Sequence, residues 1–211
     1  MKVLVACEYS GKVRDAFLRR GHDAWSCDML PTTSEDWAHH YQGDVRDVLN
    51  NGWDLVIAHP PCTYHTNSGV RWFTTIPNNP DPTIAYGADR WAKLEEAIKF
   101  FQLFQNLHSS VKVAIENPVP HKYSREHIGL YDQIIHPWQF GHKEMKSTCL
   151  WLKGLPELKP TNIVGPPPKD AGERKAWQRV HFLPPSADRW QLRSTTFDGI
   201  ADAMAEQWGS L

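Results

Sequence analysis

Long apolar stretches are missing from this chain: no run approaches the ~20 residues a helix needs to cross a bilayer, and no secretory leader opens it. Cysteine is scarce, with four residues at scattered spacings, Cys7, Cys27, Cys62 and Cys149, which excludes a disulfide framework. These absences give the expectation of a reduced, cytoplasmic protein with no membrane partner. A surplus of one charge is missing too. With 23 Lys and Arg against 24 Asp and Glu, a nucleic-acid partner must meet a local basic patch rather than a basic protein. The G-x-G-x-x-G signature is absent, replaced by the single glycine of Glu8-Tyr9-Ser10-Gly11. A pyrophosphate cofactor needs a glycine-lined helix N-terminus, so this argues for a ligand without phosphates. No internal repeat, low-complexity tract or linker divides the chain, whose 211 residues are 41% hydrophobic, enough for one well-buried domain. Proline and tryptophan, by contrast, are plentiful, at 16 and 10 residues. Many fall in segments that read as loops, where aromatic rings suit a flat ligand such as a base, although a tryptophan-rich core explains them as well.

The hydrophobic pattern alternates strand and helix. Apolar runs at Lys2 to Cys7, Asp23 to Cys27, Asp54 to Ala58, Val111 to Ile115 and Cys149 to Leu152 read as strands. Helical spacing appears over Val13 to Arg20, in a short piece through Leu49, over Asp89 to Leu107, and over Ile200 to Trp208. Pro31 to Tyr41 and Thr63 to Gly87 read as exposed loops. Asp54 to Ala58 has the unbroken apolar character of a parallel strand covered on both faces. The expectation is an α/β fold with a doubly wound, mostly parallel sheet, whose ligands bind outside the carboxyl ends of the strands. One domain spans 1–211: a core over 1–154, an irregular Pro-rich segment over 155–195 and a terminal helical region over 196–211.

Chemistry concentrates at those carboxyl ends. His59-Pro60-Pro61-Cys62-Thr63-Tyr64 places a thiol on a proline-stiffened turn directly after the third strand, where a buried structural cysteine would not be expected. Glu116 follows the next strand, and a carboxylate there is costly to desolvate without a partner. Glu8, Ser10 and Gly11 follow the first strand, where glycine lets a ligand approach the backbone. Asp28 ends the second strand, from which a carboxylate reaches ribose hydroxyls, and Asp44 is placed to bind an adenine amino group. Taken singly, each acid reads as a solvated turn or helix cap; together they describe a nucleoside pocket. Arg90 reads equally as a brace for its helix through Asp89. His59, Cys62 and His65 also suggest a zinc cluster, but no fourth ligand lies at a matching spacing, so no metal is expected.

The ordered set Glu8-Tyr9-Ser10-Gly11, Asp28, Gly43-Asp44-Val45, Pro61-Cys62, Asp89-Arg90 with Leu94, and Glu116-Asn117-Pro118 resembles the catalytic half of DNA cytosine-5 methyltransferases. The segments Cys7 to Gly11, His59 to Tyr64 and Thr148 to Gly154 are more similar still to short phage and prophage proteins assigned to that family. The resemblance implies a Rossmann-like methyltransferase fold, S-adenosylmethionine as methyl donor, and DNA, single-stranded or with a flipped base, as partner. It implies Cys62 as nucleophile toward carbon 6 of cytosine, Glu116 at the pyrimidine N3, Asn117 and Pro118 holding Glu116, and Arg90 in the catalytic group. His59 and Arg71 would favour the thiolate. The donor would be held by Glu8, Tyr9, Ser10, Gly11, Asp28, Asp44, His59 and Pro60, and the substrate by Thr63, Arg71, Lys146 and Thr148. The pattern departs from the family in three places. Lys146 and Thr148 stand where characterised members have glutamine and arginine; His59 replaces a glycine-type residue, and Pro118 a valine. Residues 155–211 also leave no room for a large target-recognition domain, so any sequence preference would rest on the 66–87 loop, the 155–195 segment or a partner. Two other readings remain: methylation of an exocyclic amino group, whose enzymes carry Asp, Asn or Ser before Pro-Pro, and a silent binding module on the same fold.

Overall fold

The structure is a computed structural model that describes residues 1–186 and 189–211. Its centre is a sheet of seven strands: β1 (Lys2–Ala6), β2 (Asp23–Asp28), β3 (His40–Gln42), β4 (Leu55–Ala58), β5 (Lys112–Asn117), β6 (Gln133–Ile135) and β7 (Thr148–Lys153). They lie in the order β3-β2-β1-β4-β5-β7-β6. Strands β3, β2, β1, β4 and β5 pair in parallel, whereas β7 runs antiparallel to both of its neighbours. Without β7 the order is the doubly wound 3-2-1-4-5-6 arrangement, so the fold is Rossmann-like with one reversed strand inserted between β5 and β6. The reversal of strand order falls between β1 and β4, the place where such sheets open a crevice for ligands.

Alternation along the central strands builds two cores. Val3, Val5, Leu55, Ile57 and Ala114 point to one face and pack on Phe17 of α1 (Lys12–Leu18) and on Ile200, Met204 and Trp208 of α6 (Asp198–Trp208). Leu4, Ala6, Val56, Ala58, Val113 and Ile115 point to the other, against Leu94, Ile98, Phe101 and Phe104 of α2 (Gly87–Gln105) and Ile128 of α3 (Lys122–Ile128). All four residues of β4 are buried, as expected of a strand covered on both faces. Trp208 is the largest fully buried side chain, and its indole N–H donates to the Pro156 carbonyl at 3.1 Å, which ties the terminal helix to the segment after β7.

Several expected boundaries shift, each for a local reason. The first helix ends at Leu18 rather than Arg20, three residues before the left-handed Gly21. The 31–41 segment is not wholly loop, because His40–Gln42 adds an edge strand beside β2. The 63–87 loop contains a 3-10 turn over Asn67–Phe73. Glu116 and Asn117 belong to β5 itself, rather than following it. Helix α3 and strand β6 lie in a stretch where no element was expected; at seven and three residues they are too short to show a period. The irregular 155–195 segment carries two short helices, α4 (Ala171–Ala176) and α5 (Arg189–Ser194). Part of it is fastened to the core where the buried Glu144 carboxylate accepts from Val180 N–H at 3.1 Å. Among the described residues no helix is long and apolar enough to cross a membrane.

Replacing Trp208 with alanine removes the largest contact between the terminal helix and the first core. Denaturant unfolding is expected to show a loss of about 3–5 kcal/mol; a loss below ~1 kcal/mol would mean that α6 does not close that core.

Candidate active site

The site is assembled by strand register. Ala6 pairs with Ala58, and Ala58 with Ile115, so the next residues, Cys7, His59 and Glu116, emerge abreast at the crevice. The antiparallel β7 enters from that same edge, with Cys149 opposite Asn117, and so Lys146 and Thr148, just before and at its start, join residues that follow the parallel strands. A cavity of about 140 Å³ results, walled by Cys7 to Ser10, His59 to Cys62, Glu116 to Pro118, Lys146, Thr148 and Arg193 to Thr196.

The turn after β1 is strained and fully used. Cys7 has φ 59°, alone among the described non-glycine residues in the left-handed region, which costs about 1–3 kcal/mol and is typical of functional turns. That twist lets Glu8 fold back over α1. Its carboxylate accepts from Val13 N–H at 2.7 Å and Arg14 N–H at 3.2 Å, and from the Ser10 hydroxyl at 3.3 Å. Gly11 is the N-cap of α1 at φ 72°, and a Cβ there would meet both Arg14 Nη2 and Ser34 Cβ at 2.7 Å. The donors that would greet a phosphate at this helix are therefore already taken by the protein's own carboxylate.

At the end of β4, His59 N–H donates to the Ala6 carbonyl at 2.9 Å, which holds the turn against β1. Asn117 Nδ2 donates to the Pro60 carbonyl at 2.9 Å, which holds the same turn against β5. Between these two ties Pro60, Pro61 and the half-buried Cys62 have little freedom. His59 and Glu116, on the face of Ile57 and Ala114, meet as an ion pair with Nδ1 to Oε2 at 3.0 Å. His59 Nε2 and Asn117 Oδ1 are buried with no hydrogen-bond partner, and Glu116 Oε2 has no aligned one. Unpaired polar atoms in a cavity wall are costly, and their clustering here marks a place where a polar ligand would complete the bonding.

Charge decides the protonation states. Burial alone would keep His59 neutral, but the charges of Glu116 and Glu8 outweigh it and raise the imidazole above its ordinary value. Burial likewise pushes Glu116 up, and His59 and Lys146 overcome it, so the carboxyl ends below its ordinary value. Both shifts favour an imidazolium beside a carboxylate. Burial dominates at Glu8, whose carboxyl stays raised despite His59 and the two amides. Burial also pushes the Cys62 thiol up, with Lys146 and Arg193 pulling only partly against it. The thiol is thus the resting form, and a ligand must help to deprotonate it. Cys7, driven far higher by burial and by Asp28, is inert.

Of the residues expected from the sequence, Glu8, Tyr9, Ser10, His59, Pro60, Cys62, Glu116, Asn117, Lys146 and Thr148 line this one cavity. The others do not. Asp28 accepts from Leu30 N–H at 3.0 Å in its own turn. Asp44 caps the 3-10 turn Val45–Asp47 through Arg46 N–H and pairs with the Arg46 guanidinium at 2.7 Å, two strands from β1. Gly11 serves α1 rather than the cavity wall. Thr63 is exposed, and Arg71 is exposed with its guanidinium over Trp72 at 4.1 Å. Of the cations expected to favour the thiolate, neither Arg71 nor His59 is among the charges acting on the sulfur; those that lower it are Lys146 and Arg193, while His59 pairs with Glu116. Arg90 is 4% exposed, reaches the carbonyls of Thr63 and Ala85, and lies over Tyr64 and Phe73. A Cβ at Gly69 would collide with its guanidinium. Its place is under the 63–73 loop, outside the cavity wall.

The zinc arrangement fails on His65. That ring is fully buried, packs edge-on against Phe101 and binds Ser124 Oγ at 2.7 Å. Burial takes its pKa down to about 4. Among the described residues no three His, Cys, Asp or Glu side chains converge as a metal site. Sequence reasoning missed Arg193, Ser194, Thr195 and Thr196 as cavity residues, although a cation and three hydroxyls just before an amphipathic helix were the available signal. They are held there by Tyr9, whose hydroxyl donates to the Gln191 carbonyl at 3.1 Å and whose ring lies 6.0 Å from that of Trp190.

No family model matches the chain, and no curated protein matches it. Among solved structures it is similar to an Entamoeba histolytica methyltransferase, EhMeth, at 12% identity and a TM-score of 0.44. The likeness covers 77% of this chain and 57% of that one, so this chain spans little more than half of its length. The assignment of the fold rests on strand order and register and owes nothing to that score.

Because Lys146 and Arg193 are the cations that pull the Cys62 thiol downward, removing either is expected to move Cys62 alkylation by iodoacetamide to higher pH. The pH dependence of the labelling rate, read at Cys62 by mass spectrometry, checks this. Labelling curves unchanged in both Lys146→Ala and Arg193→Ala would show that these cations do not reach the sulfur.

Proposed function

We propose that the cavity is the active site of an S-adenosylmethionine-dependent methyltransferase acting on carbon 5 of cytosine in DNA. The observation that carries this reading is the convergence of Cys62, Glu116 and Asn117, from adjacent strand ends, on one cavity that also holds Lys146 and Arg193. A nucleophile, an acid and cations around a pocket at the switch point of a doubly wound sheet are the parts that covalent chemistry on a pyrimidine requires.

The chain's residues fit the donor. Glu8 closes the α1 N-terminus to phosphates, which favours a nucleoside ligand without them. Ser10, Thr195 and Thr196 bring hydroxyls to the same cavity. When bound, the donor supplies an electrophilic methyl on sulfonium, which departs as a neutral thioether.

The protein's part is to make carbon 5 nucleophilic. Cys62, made a thiolate as substrate seats against Lys146 and Arg193, adds to carbon 6 and breaks the aromaticity of the ring. Negative charge then develops toward N3, where Glu116 is the acid facing the base. Asn117 keeps the two in register by tying the Pro60 carbonyl to β5. Carbon 5 chemistry needs the target base out of its stack, so flipped or single-stranded DNA is the substrate form. Exposed rings on the segment that closes the cavity, Trp190 and Phe182, each 52% exposed, offer stacking platforms beside Arg189 and Arg193.

Incubation with labelled donor and DNA containing 5-fluorocytosine is expected to trap a covalent adduct at Cys62. Cys62→Ala abolishes the adduct, and Glu116→Gln slows its formation by about 10²–10⁴-fold. An adduct that survives Cys62→Ala refutes the nucleophile, and methyl found on an exocyclic nitrogen replaces this reading with amino-group methylation. In a second experiment, Trp190→Ala is expected to weaken binding of single-stranded DNA by about 1–3 kcal/mol in fluorescence anisotropy; unchanged affinity removes α5 from the DNA path.

A further inference from the structure

We propose that His59 is the proton reservoir of this site, holding on Nδ1 the proton that Glu116 delivers to the pyrimidine. The inference rests on the cytosine reading above and gives His59 a role different from the donor-binding and thiolate roles that the resemblance implies.

Geometry places the two groups for it. Parallel pairing of Ala58 with Ile115 sets His59 and Glu116 side by side on one face of the sheet, with Nδ1 3.0 Å from Oε2 as an ion pair whose hydrogen bond is not aligned, so the proton passes as the imidazole turns toward the carboxylate. Each is buried, and the N–H of His59 to Ala6 and the Asn117 tie to Pro60 fix the backbones that carry them. A lone carboxylate at N3 is poorly suited to protonate the ring, because Glu116 is held below its ordinary pKa and is ionised at neutral pH. The proton in this site resides on the imidazole.

The groups that face His59 come from every neighbouring element. Glu116 from β5 and Glu8 from the turn after β1 favour the imidazolium; Lys146 ahead of β7 opposes it. Cys7, Cys62 and Arg193 complete the same wall. The two carboxylates outweigh burial and the lysine and raise the imidazole above its ordinary value.

The step balances as follows. The Cys62 thiol first gives its proton to water, a proton that the sulfur regains when it is expelled at the end, and the Sγ–C6 bond forms as the C5–C6 π pair moves into the ring toward N3. N3 takes a proton from the Glu116 carboxyl, which takes the Nδ1 proton of His59 and leaves a neutral imidazole beside a carboxylate. After carbon 5 is methylated, its proton passes to a water acting as base. The C6–Sγ bond then breaks, and the N3 proton returns through Glu116 to His59. No oxidant or reductant enters. His59 acts through Glu116 and is a positioning residue in the strict sense.

The test combines a titration with a rate profile. In the full chain, ¹⁵N-histidine NMR is expected to show His59 titrating above the ordinary imidazole value and falling toward it in Glu116→Gln. An imidazole that titrates at or below the ordinary value overturns the proposal, whether or not any adduct forms. With 5-fluorocytosine DNA, the wild-type rate of Cys62 adduct formation carries an inflection at the pH of that titration. His59→Asn, which keeps a hydrogen-bonding side chain but cannot titrate there, loses the inflection and slows the rate at neutral pH by about 10²-fold. If His59→Asn forms the adduct with the wild-type profile, the reservoir is refuted while the methyltransferase reading stands. If wild type forms no adduct but His59 titrates high and responds to Glu116→Gln, the ion pair as proton store is upheld and the cytosine reading fails alone.

Discussion

Ala6, Ala58 and Ile115 lie abreast in three parallel strands, and the chemistry of this protein depends on that register. One residue further along each strand come a strained cysteine, a histidine and a glutamate, presented together at the reversal of strand order. A slip of one residue in any pair would turn the side chain to the opposite core, because successive strand residues face opposite sides. The two apolar cores, closed by α1 and α6 on one face and by α2 and α3 on the other, are what forbid the slip. Stability of the sheet and geometry of the site are therefore one constraint.

Within the cavity, opposing charges set the states of the reactive groups. Glu8 and Glu116 face His59, Lys146 and Arg193, so an enclosed space holds two acids and three bases without a large net charge. The result is an ionised His59–Glu116 pair next to a protonated thiol. A buried ion pair with unfilled bonding positions contributes little to stability and keeps a proton ready to move. Glu8 plays a different part, capping α1 with its carboxylate.

Much of this was legible in the sequence. The unbroken apolar run before His59 and the alternation of strands with amphipathic helices gave the doubly wound sheet, and the proline-flanked thiol after that run marked the cavity. What escaped were features created by tertiary pairing. The three-residue strands β3 and β6 carry no period of their own and exist through their neighbours. Asp44 follows a short stretch without an apolar run that becomes the sheet edge, which puts it two strands from β1 and beside Arg46. Arg90, adjacent in sequence to the start of a helix, turns inward because Gly69 leaves room for its guanidinium. The antiparallel sense of β7 cannot be read from an apolar run, yet it is the reason Lys146 and Thr148 reach the site. Arg193 arrives from the far end of the chain, carried by the closure of α6 on α1 and by the Tyr9 hydroxyl.

The account stands on Cys62 and Glu116 addressing a single base. Its most direct measurement is a crystal structure of the protein with the demethylated product of the donor and a cytosine-containing oligonucleotide. The account predicts the cytosine ring in the cavity with Cys62 Sγ about 3–3.5 Å from carbon 6 and a Glu116 oxygen within hydrogen-bond distance of N3. A base bound elsewhere, or one in the cavity with the sulfur turned away from the ring, would contradict it.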